Sequence, residues 1–533
     1  MTDHLSYSEV RAQLLARHEI ALLDVREEDP YAQEHPLWAA NLPLSRLERD
    51  AWRRIPRRDT LIVLYGQYQN TDLAPLAVQR LQALGYTNAH RLDGGLEGWR
   101  QAGGELFRDV NVPSKSFGEL VEHERHTPSL SAQEVKALID ANADVVVLDA
   151  RRYDEYQTMN IPTSTSVPGA ELVLRARELA PDPKTQIIVN CAGRTRSIIG
   201  TQSLVNAGVP NPVAALRNGT IGWKLAGQVL DHGSNRQAPA ASEANKAFAR
   251  AQARAVADKA GVRWISYEAL PSLDAGDRTT YRFDVRSAQE YAAGHVMDFL
   301  NAPGGQLVQE TDHHAPVRGA RIVLADDDGV RAPMSASWLA QMGWEVYVLT
   351  DLPATAFCEK GSGPDVFPAM PQVSELAAKE LARLLVESST DVAVIDVSSS
   401  ANYVKQHIPC AWFAIRAQLA QALERIPVAT SYVLTCSDST IARFASQDLR
   451  ALLAARNIEA AVHVLAGGNA AWFAAGLQAE AGELRLAVPR TDRYRRPYEG
   501  TDATAESMQA YLDWEFGLVA QLGRDGTHHF KVI

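Results

Sequence analysis

A chain of 533 residues, 46% hydrophobic and 22% charged with a formal net charge of −11, is too long for one ordinary core and divides on size grounds into three or four domains. The acidic balance excludes a general nucleic-acid binder, which carries a basic footprint. No apolar window approaches the roughly eighteen residues of a membrane span, and the N-terminal stretch MTDHLSYSEVRAQLLARHEI has no basic segment leading into an apolar core, so neither membrane association nor a secretory signal is expected. The four cysteines, at 191, 358, 410 and 436, form no CxxC pair and no metal-ligand spacing. They read as reduced thiols, which predicts a cytoplasmic setting and no metal.

In chain order the sequence repeats itself. Four apolar runs end in aspartate: ALLDVR (21–26), VVVLDARR (145–152), YRFDVR (281–286) and VAVIDVS (392–398). Each leads into a helix-like stretch with an aromatic, at Tyr31, Tyr156, Tyr291 and Tyr403. A second apolar run follows each time: LIVLYG, IIVNCAG, RIVLADDDG and YVLTCSDS. Then come a helical pattern, a break and a third short apolar run. Three repeats close on a glycine-tryptophan signature, DGGLEGW, RNGTIGW and AGGNAAW, which the third repeat lacks. Alternating β-rich runs and helical patterns predict α/β domains, each a mainly parallel sheet with helices on both faces. The repeats place domains at 1–108, 128–233, 263–357 and 372–482, followed by a C-terminal tail at 483–533. Three segments read as linkers: VNVPSKSFGELVEHERHTPS, the Ala-rich helical connector RQAPAASEANKAFARAQARAVADKAG, and FCEKGSGPDVFPAMP. In the tail, MQAYLDWEFGLVAQL predicts one amphipathic terminal helix.

Ligands of open α/β sheets sit at the carboxyl ends of the strands. QIIVN predicts such a strand and SIIGTQSLVNAG the helix after it, so Cys191 to Ser197 form a strand-to-helix loop. Its backbone N–H groups and the positive end of the helix converge there. A free thiol ionises at about 8.5, and such surroundings lower that value. Arg194 and Arg196 add charge and forks suited to sulfonate or carboxylate oxygens. A nucleophile, a donor shell and an anion clamp together form a covalent-catalysis constellation.

The loop Cys191-Ala192-Gly193-Arg194-Thr195-Arg196, the Asp-Val-Arg strand ends and the Gly-Trp closures resemble the rhodanese (sulfurtransferase) family, as four tandem rhodanese-like domains of a bacterial multi-domain type. The resemblance implies a six-residue active-site loop with cysteine first and arginine last. Related phosphatases and arsenate reductases insert one more residue, which suits a tetrahedral oxyanion, whereas the tighter loop here suits a single sulfur atom. The implied chemistry moves a sulfane sulfur from thiosulfate, or a similar donor, to cyanide, a small thiol or an acceptor protein through a Cys191 persulfide. Cys191 is then the catalytic residue. Ala192, Gly193, Arg194, Thr195, Arg196 and Ser197 bind substrate, and Asp149 and Arg151 support the loop from beneath. No cofactor is implied. A 3-mercaptopyruvate enzyme of the family usually carries a Gly-Ser-Gly-Val-Thr type of loop, which is absent here. A persulfide carrier that delivers sulfur to a partner protein is the alternative from another class.

The other loops lack parts of this equipment. Repeat one reads Gly66-Gln-Tyr-Gln-Asn-Thr71, with neither thiol nor arginine. Repeat three reads Asp326-Asp-Asp-Gly-Val-Arg331, with a carboxylate at the nucleophile position. Repeat four reads Cys436-Ser-Asp-Ser-Thr-Ile441: Cys436 is either a second sulfur carrier or an inert thiol in a decayed loop. The tryptophans Trp99, Trp223 and Trp472 read as core, His295 and His407 as turn residues, and the acid runs DDD and REEDP as solvated surface.

Overall fold

A computed structural model describes residues 3–533 except 69, 275, 277, 364–365 and 388–390. Gln69 of the first loop and part of the third linker therefore lie outside the described residues. The chain folds into four α/β modules, each around its own mainly parallel sheet. In the second module the spatial order is Thr165–Ser166, Val145–Asp149, Gln186–Asn190, Val213–Leu216 and Ser129–Leu130, all parallel. The other three modules repeat that order. Parallel neighbours need crossovers, and the crossover helices cover both faces of the sheet. That burial explains the uninterrupted apolar run Ile187-Ile188-Val189, each residue at 0% exposure.

The modules are joined by packing as well as by chain. Val317–Arg318 of the third module pairs antiparallel with Ile20–Ala21 and extends the first module's sheet. The connector helix Glu243–Lys259 lays Ala249, Ala253 and Val256 into one core with Val330 and Met334. The fourth module has a core of its own. Its Arg416 reaches the first module's Glu48 at 2.6 Å.

Two segments differ from the sequence expectation. The first linker is a buried 14-residue helix, Val112–Arg125. Val112, Phe117 and Val121 are each fully buried, so the segment is an element of the core. The terminal helix is two helices, Ala505–Phe516 and Leu518–Asp525, which meet at Gly517. The first packs Met508, Tyr511 and Leu512 on Ile221 of the second module, and the second buries Leu518 and Leu522 in the shared core of modules one and three. Each leucine contributes on the order of 2 kcal/mol by leaving water.

The Gly-Trp closures are structural. Trp99, Trp223 and Trp472 are buried, each donating its indole N–H to a carbonyl six residues on. His295 and His407 are likewise buried turn residues, stacked on Tyr291 and Tyr403. In the third module a short 3-10 turn, Ala354–Ala356, stands where the others have this helix. The helix Gly219–Leu225 starts hard against the Cys191 loop: Thr220 N donates to Cys191 O at 2.9 Å and Ile221 N to Ala192 O at 3.0 Å. A Cβ at Gly219, whose φ is 55°, would lie 2.3 Å from the Cys191 carbonyl oxygen.

Gly208 has a similar φ of 65° but nothing within 4 Å of an added Cβ. Gly208→Ala is therefore expected to cost about 1 kcal/mol, the left-handed penalty alone. Gly219→Ala adds a backbone collision and is expected to cost about 3 kcal/mol or more. Urea titrations of the two variants measure the difference, and equal midpoints would contradict this placement of the loop.

Candidate active site

Cys191 follows the strand Gln186–Asn190, and the helix Thr195–Asn206 begins four residues later with Arg194 at its N-cap. Beneath the loop, Asp149 accepts from Arg151 at 2.9 and 2.8 Å and from Asn190 Nδ2 at 2.8 Å. Arg151 in turn donates to the Met159 carbonyl. This buried strut ties the end of one strand to the residue before the thiol. The first and third modules keep it as Asp24–Arg26 and Asp284–Arg286. In the fourth, Ser398 replaces the arginine, and Asp396 accepts from Asn469 instead.

The thiol is enclosed, at 1% exposure. Its S–H donates to Ser197 Oγ at 3.4 Å, and Ser197 Oγ donates to the Arg194 carbonyl at 2.8 Å. Burial pushes the Cys191 thiol above its usual range, while Arg196 and the Ser197 hydrogen bonds pull it down. The lowered thiol expected from the sequence is thus not a property of the closed site, because desolvation outweighs the arginine.

Both arginines are committed to carboxylates. Arg196 forms a bidentate pair with Glu155 at 2.9 and 2.8 Å. Arg194 turns the other way. It pairs with Glu119 at 2.7 and 2.8 Å, contacts Glu122, donates to Asn218 at 3.1 Å and lies over the Phe516 ring. Its fork, expected to hold the sulfur donor, instead anchors the loop to the helix Val112–Arg125. A guanidinium this deep is retained only with such partners. Of the two, Arg196 alone lines a cleft of about 300 Å³, where five arginines (151, 152, 196, 493 and 496) meet four carboxylates (154, 155, 310 and 499) beside Tyr498. Thr195 Oγ1 is buried without a hydrogen-bond partner, and Gly193 faces the C-terminal helix.

That helix is the part sequence reasoning missed. A Cβ at Gly193 would lie 3.1 Å from the Tyr511 ring and 3.4 Å from Glu515 Oε2, so glycine lets the helix close over the loop. Tyr511 O–H donates to Glu515 Oε1 at 2.8 Å, while the buried Oε2 has no partner. Burial, reinforced by Glu119, raises the Glu515 carboxyl to about 8. Lys115, paired with Asp109 at 2.7 Å, sits among the rings of Tyr498, Tyr511 and Trp514. No spacing within the tail says which module it covers. Glu155 did leave a signal: Glu-Tyr precedes the turn in YDEY and AQEY, the two modules that keep a closing arginine, and the others read DPY and ANY.

The third module shows what the loop amides can do. Asp326, in register with Cys191, accepts from the N–H groups of Gly329, Val330 and Ala332 at 3.0, 3.1 and 2.8 Å. Arg331 pairs with Glu290 at 2.7 and 3.0 Å, as Arg196 does with Glu155. Asp326 and Asp328 are therefore buried, not solvated surface: Arg331 and backbone amides hold Asp328 below the usual carboxylate range, while burial and Asp328 push Asp326 well above it. In the fourth module Cys436 is 2% exposed, its S–H faces Asp438 at 3.6 Å, and burial pushes it to about 11.

The Rhodanese-like domain family matches residues 6–102, 131–226, 269–351 and 377–475, and the chain belongs to that family. Over the full length of both chains it is 61% identical, with a TM-score of 0.97, to a crystal structure of thiosulfate sulfurtransferase from Pseudomonas aeruginosa. Among curated proteins it is 36% identical over 101 residues to an uncharacterized protein of Synechocystis sp. and 31% identical over 91 residues to an HTH-type transcriptional regulator of Mycobacterium tuberculosis. Those matches take in 19% and 17% of this chain, and 54% and 39% of the relatives' own lengths. Among the described residues no helix is long and apolar enough to cross a membrane.

A carboxyl raised in the fold stabilises it as the neutral acid. For Glu515 that contribution is complete below the ordinary value of 4.5 and lost as pH rises through about 8. Hydrogen-exchange protection of the helix Ala505–Phe516 is expected to fall across that interval, and Glu515→Gln is expected to flatten the fall. An unchanged slope in the variant would show that the carboxyl does not govern docking of the helix.

Proposed function

We propose that this chain is a thiosulfate sulfurtransferase with its single working centre at Cys191. The supporting observation is that thiol, first in a six-residue loop at the end of a parallel strand, with the closing Arg196 fixed on Glu155. The full-length likeness to a thiosulfate sulfurtransferase supports the choice of donor. Cys191 Sγ, as thiolate, attacks the outer sulfur of thiosulfate. The S–S bond breaks, sulfite leaves with the electron pair, and Cys191 carries a persulfide. An acceptor nucleophile, cyanide or a thiol, then attacks the terminal sulfur and releases the thiolate.

The amides of Arg194, Thr195 and Ser197 correspond in register to those that hold Asp326 in the third module. In this reading they stabilise the persulfide's negative charge. Arg196 and the tail arginines Arg493 and Arg496 offer positive charge to the dianion in their shared cleft, where Asp154, Glu155, Glu310 and Glu499 offset part of it. Arg194 positions the loop through Glu119. Burial, Asp438 and the absence of an arginine favour the inert reading of Cys436. Four separate free thiols suit a reducing, cytoplasmic setting.

Two-substrate kinetics test the assignment. Parallel double-reciprocal plots with thiosulfate and cyanide are expected, with weaker turnover of 3-mercaptopyruvate. Cys191→Ser is expected to lose activity on the order of a thousandfold or more, and Cys436→Ser to retain it. A stable persulfide with negligible thiocyanate formation would favour the carrier reading, and preference for 3-mercaptopyruvate would replace the donor.

A further inference from the structure

A second cationic site lies away from the sulfur-transfer loop. Between the first module, the third module and the C-terminal segment is a cavity of about 260 Å³, bordered by Arg17, His18, Arg263, Arg278, Arg318 and His529. Among the described residues, Glu345 is the one carboxylate on its wall. Arg263 and Arg278 each hold it at 2.6 Å, and Arg321 approaches at 3.7 Å. Among the described residues, Arg17 and Arg318 have no carboxylate partner. In a chain of net charge −11 this concentration of uncompensated guanidinium is a built feature.

Arg318 is placed by the fold. It lies on the strand that joins the third module to the first module's sheet. Its guanidinium lies 3.6 Å from the Trp38 ring and 4.2 Å from the Trp344 ring. Two aromatic planes hold a guanidinium flat and leave its edge for an oxygen ligand. Two donors on the wall lack acceptors: Arg318 Nη1 and the indole N–H of Trp344, a residue 6% exposed. Buried donors are almost always satisfied, so this pair points to an acceptor supplied from outside the chain. Burial and Arg17 push Arg318 down to about 9, which still leaves it charged at neutral pH and ready to gain from an anion.

We propose that this cavity binds a small tetrahedral oxyanion, a phosphate or a sulfur oxyanion, on the edge of Arg318 with help from Trp344 and Arg17. Thr527 and His529 line the same cavity and belong to the segment whose earlier helix covers Cys191. Occupation of the cavity therefore fastens that segment at its far end.

Calorimetric titration of the full chain with inorganic phosphate, sulfate and thiosulfate, each at constant ionic strength made up with chloride, tests this. The expected result is saturable binding of at least one of the three at one site per chain. Arg318→Gln is expected to weaken it by about tenfold or more. Arg17→Gln, at an exposed helix end where folding is not at risk, is expected to weaken it too. The order of affinities separates a phosphate site from a sulfur-oxyanion site. Cys191→Ser serves as background, so thiosulfate turnover does not contribute heat. Absence of saturable binding to all three anions, or an affinity in both arginine variants that is unchanged from the parent chain, would overturn the proposal.

Discussion

A buried guanidinium needs compensating acceptors, and the Cys191 loop is shaped by the carboxylates that its two arginines take. Arg196 takes Glu155 from its own module, and Arg194 takes Glu119 from the helix between modules one and two. Breaking either pair would strand an uncompensated charge, at a cost of about 3–5 kcal/mol. The loop is therefore pinned from two sides, and the Ser197 amide is left to face the thiol. Arg331 and Glu290 repeat the first pairing in the third module. There a carboxylate has replaced the thiol, and the amides grip it directly.

One scaffold thus serves four modules with different loops. The three loops without the full equipment still sit on intact sheets, and two of those modules build the surroundings of the fourth participant, the C-terminal segment. Modules one and three share a core with that segment through Leu518 and Leu522. Its preceding helix brings Tyr511 and Glu515 onto Gly193. The thiol is consequently sealed, and its proton is held more tightly than a loop of amides and arginines would dictate. An element some 320 residues away in the chain thus closes over Gly193, and its Glu515 adds to the burial that raises the Cys191 thiol, as long-range packing allows and local propensity does not.

The fold was legible because each module restates one pattern, an apolar run ending in Asp and then a second run, and three of the four add a glycine-tryptophan closure. Parallel strands buried on both faces leave that signature in any single copy, and repetition made it plain. The loop was legible for the same reason, since strand and helix flank Cys191 in the sequence. What stayed hidden depends on tertiary contact. VNVPSKSFGELVEHER has the charge of a linker, yet its Lys115 and Glu119 are buried because Asp109 and Arg194 come to meet them. The run DDD has the composition of surface, yet Asp326 is held by amides that any loop of this shape would offer. Nothing in RYRRPYEG or MQAYLDWEF names the module they cover.

The account stands on Cys191 carrying sulfur inside this closed loop. Peptide mass mapping after exposure of the intact chain to thiosulfate tests it most directly. A gain of about 32 Da, one sulfur atom, is expected on the peptide that contains Cys191 and on no peptide that contains Cys436, and cyanide is expected to remove it as thiocyanate. An unmodified Cys191, or sulfur found on Cys436 in its place, would contradict the account.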